Sequence, residues 1–202
     1  MDLYRVPLQK PTTRLYGLIG DPITESIGHL VHNQFFRETD STQMSIDAVY
    51  FKMRVQSKEL GGFFQHASSL PLHGLSVTMP LKERVLDYLD GVDAFVQRSG
   101  AANTLLFQKE KWWGFNTDGP AIAGAVACRT KIRDKKILVL GTGGVAKAAA
   151  WAMRGEGAHV DVMGRDFSKA LGMADSLEGK AFSWGEARAW KNQEVLIHCT
   201  PI

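Results

Sequence analysis

KILVLGTGGVAKAAAWAMRGEGAHVDVMGR, residues 136–165, is the stretch that decides the fold class. An apolar run, Ile137 to Leu140, leads straight into a glycine-rich turn. An alanine-rich helix follows, and a second apolar run ends at Gly164-Arg165. This is the layout of a nucleotide-binding βαβ unit. The first run is continuous rather than alternating, as expected of a parallel strand buried on both faces. Gly141 permits the tight turn, Gly143 has no Cβ to block a pyrophosphate, and Ala146 is the third small residue that lets helix and strand pack closely. The backbone N–H groups near Gly144 and Val145 begin the helix, where they are unpaired and lie at the positive end of its dipole. Such a helix start holds phosphate. A glycine turn with no ligand is the bland alternative; the strand before it and the helix after it favour the ligand.

Cofactor choice is written at the end of the second run, HVDVMGRDF. NAD enzymes place Asp or Glu there for the ribose 2′-hydroxyl, whereas a nearby Arg accommodates a 2′-phosphate. Here the tip carries Arg165, with Lys169 one turn on and Asp166 as a competing acid. A guanidinium grips phosphate with two hydrogen bonds and an ammonium adds a point charge, so NADP is the expected cofactor.

Working outward, the chain divides at the polar segment TKIRDKK, 130–136. Upstream, LYGLIG (15–20) reads as a strand, 28–38 as a helix, IDAVYFKM (46–53) as a strand, 57–66 as a helix and HGLSVT (73–78) as a strand. A further helix is expected after Pro80, an antiparallel pair across 102–115 around the polar turn KEK, and a helix opening at Asp118. Downstream, strands at 137–140, 159–163 and 194–198 make one mononucleotide half of a doubly wound sheet. The chain stops just past the third of these. A parallel sheet is covered on both faces and usually continues for several strands, so the expectation is a chain truncated at its C-terminus.

Composition narrows the function classes. The 202 residues are 45% hydrophobic and 22% charged with a formal charge of +3, an ordinary globular balance. No basic run interleaved with aromatics points to nucleic acid, and no apolar stretch approaches membrane-spanning length. Cys128 and Cys199 lack metal-ligand spacing and read as two buried thiols in a reducing compartment, the cytoplasm. The first 14 residues are too polar for a signal peptide.

Taken singly, the polar residues of the upstream part have structural explanations. Lys82 follows a proline in LSVTMPLKE, in the first turn of the expected helix, and reads alone as a solvated side chain. Asp118 reads as a helix N-cap, Ser26 as the cap of the helix carrying His32 and Asn33, and Asn103 as a turn residue.

Together, in order, these segments resemble the shikimate dehydrogenase family across nearly the whole chain. GDPITESIGHLVHN (20–33) is similar to a degenerate form of that family's GxPIxHSxSPxxHN. GLSVTMPLK (74–82), GAANTL (100–105), GFNTDG (114–119), GTGGVAKA (141–148) and GRDFSKA (164–170) follow its pattern, and HCTPI (198–202) resembles the start of a further segment. The fold so implied is α/β: a linker at 1–14, an α/β substrate-binding domain at 15–130, and an incomplete Rossmann-type parallel sheet at 131–202. The resemblance implies reversible, NADPH-dependent reduction of 3-dehydroshikimate to shikimate. It assigns Lys82 and Asp118 as the acid–base pair, Ser26 to the substrate carboxylate, and Thr78, Asn103 and Asp118 to ring hydroxyls. Gly141, Gly143, Gly144, Val145, Arg165 and Lys169 would hold NADP, and no metal is implied.

The departures from the pattern are local. The family's HSxSP becomes Glu25-Ser26-Ile27-Gly28-His29, which removes a second serine at position 28 and adds an acid at 25. This motivates an alternative, a paralogue acting on quinate; a fragment that binds ligand or a partner without turnover is a third reading. Gly164 and Asp166 stand where the pattern has asparagine and threonine. The N-terminal DLYRVPLQKPTTRLYGLIGDP resembles the joint behind a dehydroquinase in two-enzyme fusions, so a dehydroquinase module is the expected partner.

Overall fold

The computed structural model describes residues 12–40 and 46–200. Residues 1–11, most of the expected linker, and Pro201 and Ile202 of the HCTPI segment lie outside the described residues. The chain forms two compact units. The first comprises Met1–Asp93 and Ala102–Phe115, the second Ala94–Ala101 and Asn116–Ile202. The sequence places the boundary at 130/131, whereas compactness places it at Phe115/Asn116. Helix α4 (Asp118–Ala127) explains the difference. Its residues Ile122, Ala123 and Val126 pack on the core of the second unit, around Met153 and Val160.

In the first unit, β1 (Arg14–Gly20) pairs in parallel with β2 (Ala48–Arg54) on one side and β3 (Leu72–Val77) on the other. Helices α1 (Gly28–Asp40) and α2 (Leu60–Ala67) supply the crossovers that parallel neighbours require. Beyond β3 the sheet turns antiparallel through the hairpin of β5 (Thr104–Gln108) and β6 (Lys111–Phe115), the pair expected at 102–115. Its two-residue turn, Lys109-Glu110, has positive φ at both positions (54° and 62°), the twist that matches flanking strands. A two-residue strand β4 (Gly91–Val92) completes the order β2-β1-β3-β5-β6-β4.

The expected α-helix after Pro80 is instead a turn at Lys82 and Glu83 followed by a 3₁₀ segment, Arg84–Tyr88. The segment is pinned at both ends, with Leu81 N–H donating to Thr78 O and Asp90 N–H to Trp112 O, at 2.9 Å each. Spanning a fixed gap with few residues favours the longer rise of a 3₁₀ turn.

In the second unit, short α3 (Ala94–Ser99) and α4 precede β7 (Lys136–Leu140), α5 (Gly144–Gly155), β8 (His159–Gly164), α6 (Phe167–Ser176), β9 (Ala181–Ser183) and β10 (Val195–His198). All pairs in this sheet are parallel and the order is β10-β7-β8-β9. The chain winds outward from β7 through β8 to β9, then returns to the other side of β7. The switch point is therefore the C-terminal end of β7, where open parallel sheets bind ligands. Ile137 and Val139 face the α5 and α6 side with Val160, Val162 and Met153. Leu138 and Leu140 face the opposite side with Met163, Phe182 and Ala189. No helix among the described residues is long and apolar enough to cross a membrane.

Candidate active site

In the first unit, parallel β1 and β3 end side by side, and the segments leaving them are stitched together. Thr78 N–H donates to Ile19 O at 2.9 Å and Asp21 N–H to Met79 O at 3.0 Å. Val77 N–H donates to Asn103 O at 2.8 Å, and Ala102 N–H to Lys82 O at 2.8 Å. These bonds gather Thr78, Lys82 and Asn103 at one end of the sheet. The loop carrying Ser26 joins them through Gly20, where a Cβ would stand 2.3 Å from Thr78 Cγ2, and through Ile23, whose carbonyl accepts Ser26 N–H at 3.2 Å. All four candidate residues are half-buried. Lys82 sits between the fully buried anchors Leu81 and Val85, which fix its turn. Ser26 Oγ accepts Gly28 N–H at 3.4 Å, a weak cap of α1.

In the second unit, the sequence-based cap at Asp118 is corrected. Asn116 is the capping side chain: its Oδ1 accepts the N–H groups of Asp118 (2.9 Å) and Gly119 (3.2 Å). Its amide nitrogen donates to Ala101 O at 2.8 Å, and the residue is buried. The cap of α4 thus does not require the Asp118 carboxylate. Gly119 lets α4 approach its neighbours, since a Cβ there would lie 2.3 Å from Phe95 Cζ and 3.1 Å from Ala148 O. Asn116 has no role in the sequence-based assignment, although it lies inside the GFNTDG segment. An Asn ahead of a proline-containing first helical turn was the available signal.

The glycine turn stands where β7, β8 and β10 end together. Gly141 N–H donates to Met163 O at 2.8 Å, and Cys199 N–H donates to Leu140 O at 2.9 Å. Gly141 has φ +117°, and a Cβ on it would sit 3.1 Å from Cys199 O, so glycine is required twice over. Burial pushes the Cys199 thiol up to about 11, with the Asp118 carboxylate adding to the effect. Cys128, by contrast, is exposed rather than buried, because it lies at the C-cap of α4.

Gly143 is the N-cap of α5 and makes no side-chain cap; a Cβ there would meet nothing within 4 Å. The helix start at Gly144 and Val145 thus presents backbone N–H groups beside open space, the arrangement that suits a pyrophosphate. Arg165 is exposed immediately after β8 and has no carboxylate partner among the described residues. Asp166, the competing acid, is spent as the N-cap of α6, accepting Lys169 N–H at 3.2 Å. The Lys169 ammonium lies 3.8 Å from the same carboxylate, which leaves Arg165 as the stronger phosphate anchor. The residues present fit a phosphorylated dinucleotide.

Comparison with known proteins identifies the family. Residues 18–105 match the family described as the shikimate dehydrogenase substrate binding domain. The chain is 37% identical over 190 residues to the shikimate biosynthesis protein AroDE of Chlamydia pneumoniae, covering 94% of this chain and 39% of that protein. It is 32% identical over 199 residues to the shikimate dehydrogenase (NADP(+)) of Dictyoglomus thermophilum, covering 95% of this chain and 70% of the relative. The crystal structure of shikimate dehydrogenase from Aquifex aeolicus superposes with a TM-score of 0.88 at 29% identity, over 96% of this chain and 71% of that one.

Proposed function

The chain belongs to the shikimate dehydrogenase family, and from that premise we propose that it is an NADP-dependent oxidoreductase interconverting 3-dehydroshikimate and shikimate, on the route to chorismate and the aromatic amino acids. The observation that carries this reading is the gathering of Ser26, Thr78, Lys82 and Asn103, distant in sequence, at one end of the first sheet. The backbone N–H groups at Gly143, Gly144 and Val145 hold the cofactor pyrophosphate beside Gly141, while Arg165, helped by Lys169, holds its 2′-phosphate. Bound there, NADPH supplies the hydride that reduces the ketone carbon.

The work of this chain's own residues is to bind, orient and move a proton. Ser26 donates to the substrate carboxylate, and Thr78, Asn103 and Asp118 fix ring hydroxyls. Reduction turns the ketone oxygen into an alkoxide, which needs a proton as its charge develops. Lys82 hydrogen-bonds that oxygen and delivers the proton from its ammonium; in the oxidative direction it takes the proton back. Asp118 is the second member of this acid–base pair. Positioned proton transfer of this kind contributes roughly 10²- to 10⁴-fold in rate.

The experiment is absorbance at the nicotinamide band with purified chain, shikimate and NADP, repeated with NAD and with quinate. Turnover with shikimate and NADP, lost in Lys82→Ala, is the expected result; binding of neither ligand overturns the reading. The missing hydroxyl at Gly28 and the acid at Glu25 support a second reading, a preference for quinate, which the same assay resolves. We further assign a dehydroquinase module as the partner, supported by the bifunctional 3-dehydroquinate dehydratase/shikimate dehydrogenase of Arabidopsis thaliana, of which this chain spans 34%. The cytoplasm is the proposed compartment, supported by two unpaired thiols.

A further inference from the structure

Lys52 lies on β2 in a row with Leu18 of β1 and Ser76 of β3. Residues paired across a sheet project to the same face, so Lys52 shares the face of Tyr50, two residues earlier. Tyr50 stacks on His32 of α1, with ring centroids 4.2 Å apart. That places Lys52 under the loop that leads into α1. Its ammonium donates to Thr24 O at 3.1 Å and to Ser26 O at 3.2 Å, the two carbonyls that flank Glu25. An ammonium has three N–H donors, and these contacts use two. No carboxylate among the described residues pairs with it.

Ser26 Oγ meanwhile accepts Gly28 N–H, which leaves the hydroxyl proton available to donate outward. Position 28 has no side chain to supply a second hydroxyl, and Glu25 places a negative charge in the same loop. A carboxylate held by one serine beside an acid would be poorly bound. A cation already seated on that serine's own carbonyl answers both deficits.

We propose that Lys52 supplies the cationic contact to the substrate carboxylate, replacing the hydroxyl that position 28 lacks, and so sets the preference for an anionic substrate over a neutral one. The inference rests on the reading of Ser26 as the carboxylate-binding residue. A purely structural role, in which Lys52 only holds the loop, is separated from it by an uncharged analogue. Affinities for shikimate and for its methyl ester are measured by titration calorimetry on the wild-type chain, Lys52→Met and Lys52→Arg.

Wild type binds the acid at least ~10-fold more tightly than the ester, since a hydrogen bond to a charged group is worth about 10- to 100-fold in affinity. Lys52→Met loses that preference, weakening on the acid by roughly 10- to 100-fold while the ester changes less than about 3-fold. Lys52→Arg keeps it. Equal weakening on acid and ester in Lys52→Met, or no change on either, overturns the proposal and leaves the functional reading intact. Wild type that binds neither compound overturns the functional reading itself. If Lys52→Met does not fold, a salt titration of wild type decides: affinity for the acid falls with ionic strength and affinity for the ester does not, and parallel behaviour of the two sinks the inference.

Discussion

The two units build their ligand-facing ends from different materials. In the second, the turn from Gly141 to Val145 works through backbone: a positive φ, an uncapped helix start and N–H groups beside open space. In the first, the work falls to side chains, Ser26, Thr78, Lys82 and Asn103, delivered by strand ends and loops far apart in sequence. A backbone site needs only that certain positions lack a Cβ, so it is compact in sequence and tolerant of its neighbours. A side-chain site needs each chemical group individually, and each is supported by bonds that a motif does not display. Substitutions should therefore act differently in the two places.

The largest effect is expected at the side-chain site. Lys82→Ala should lower kcat by roughly 10²- to 10⁴-fold while shikimate affinity stays within a few-fold, because the proton is moved only as charge develops on the ketone oxygen. Steady-state rates alongside calorimetric binding check this, and turnover that survives would remove Lys82 as the proton donor.

At the backbone site a single side chain decides which cofactor binds. Arg165→Gln should weaken NADP by about 10- to 100-fold, the loss of a charge-assisted contact, with little change for NAD. Equal loss on both cofactors would mean that Arg165 supports the fold and not the 2′-phosphate.

Stability should separate the two kinds of support. Asn116→Ala removes a helix cap and a buried hydrogen bond together, and should cost about 2 kcal/mol in urea unfolding. Gly141→Ala forces a Cβ into the left-handed region and towards Cys199 O, and should cost about 1–2 kcal/mol. A neutral Gly141→Ala would show that the turn relaxes, and the contrast between backbone and side-chain sites would lose its footing.

The smallest effect is one of pH. The Cys199 thiol is raised to about 11 by burial, so the folded state holds its proton where an unfolded thiol has lost it. Its contribution to stability is therefore complete below the ordinary thiol range and fades as pH climbs towards 11. Exposed Cys128 should be alkylated at pH 8 well before Cys199, as peptide mapping of a timed iodoacetamide reaction would show. Simultaneous labelling would count against the half-buried position of Cys199 at the strand end beside Gly141.

Legibility followed the same division. Strands β1, β3, β7, β8 and β10 and the 102–115 hairpin are readable because apolar runs bounded by turn residues mark them locally. Strands β4 and β9, with two and three residues, are too short to carry any period. The 3₁₀ segment at Arg84–Tyr88 looks helical in sequence and is reshaped by the fixed positions of its ends. Asp166 shows how a residue can mislead: it stands where an acid would signal NAD, yet it is consumed as the cap of α6. Lys52 left no mark at all, because a lysine in a strand is read as solvated until its ammonium is seen on the carbonyls of Thr24 and Ser26.

The sequence by itself determined the βαβ unit, the base at the end of its second strand and the family. Each depends on residues adjacent or regularly spaced along the chain, where local sterics and periodicity act. Only the tertiary structure decided which side chain caps which helix, where the units divide, and which cation lies beside Ser26. Those are set by hydrogen bonds between segments that meet through strand pairing, and strand pairing is a property of the folded sheet that no local window of sequence contains.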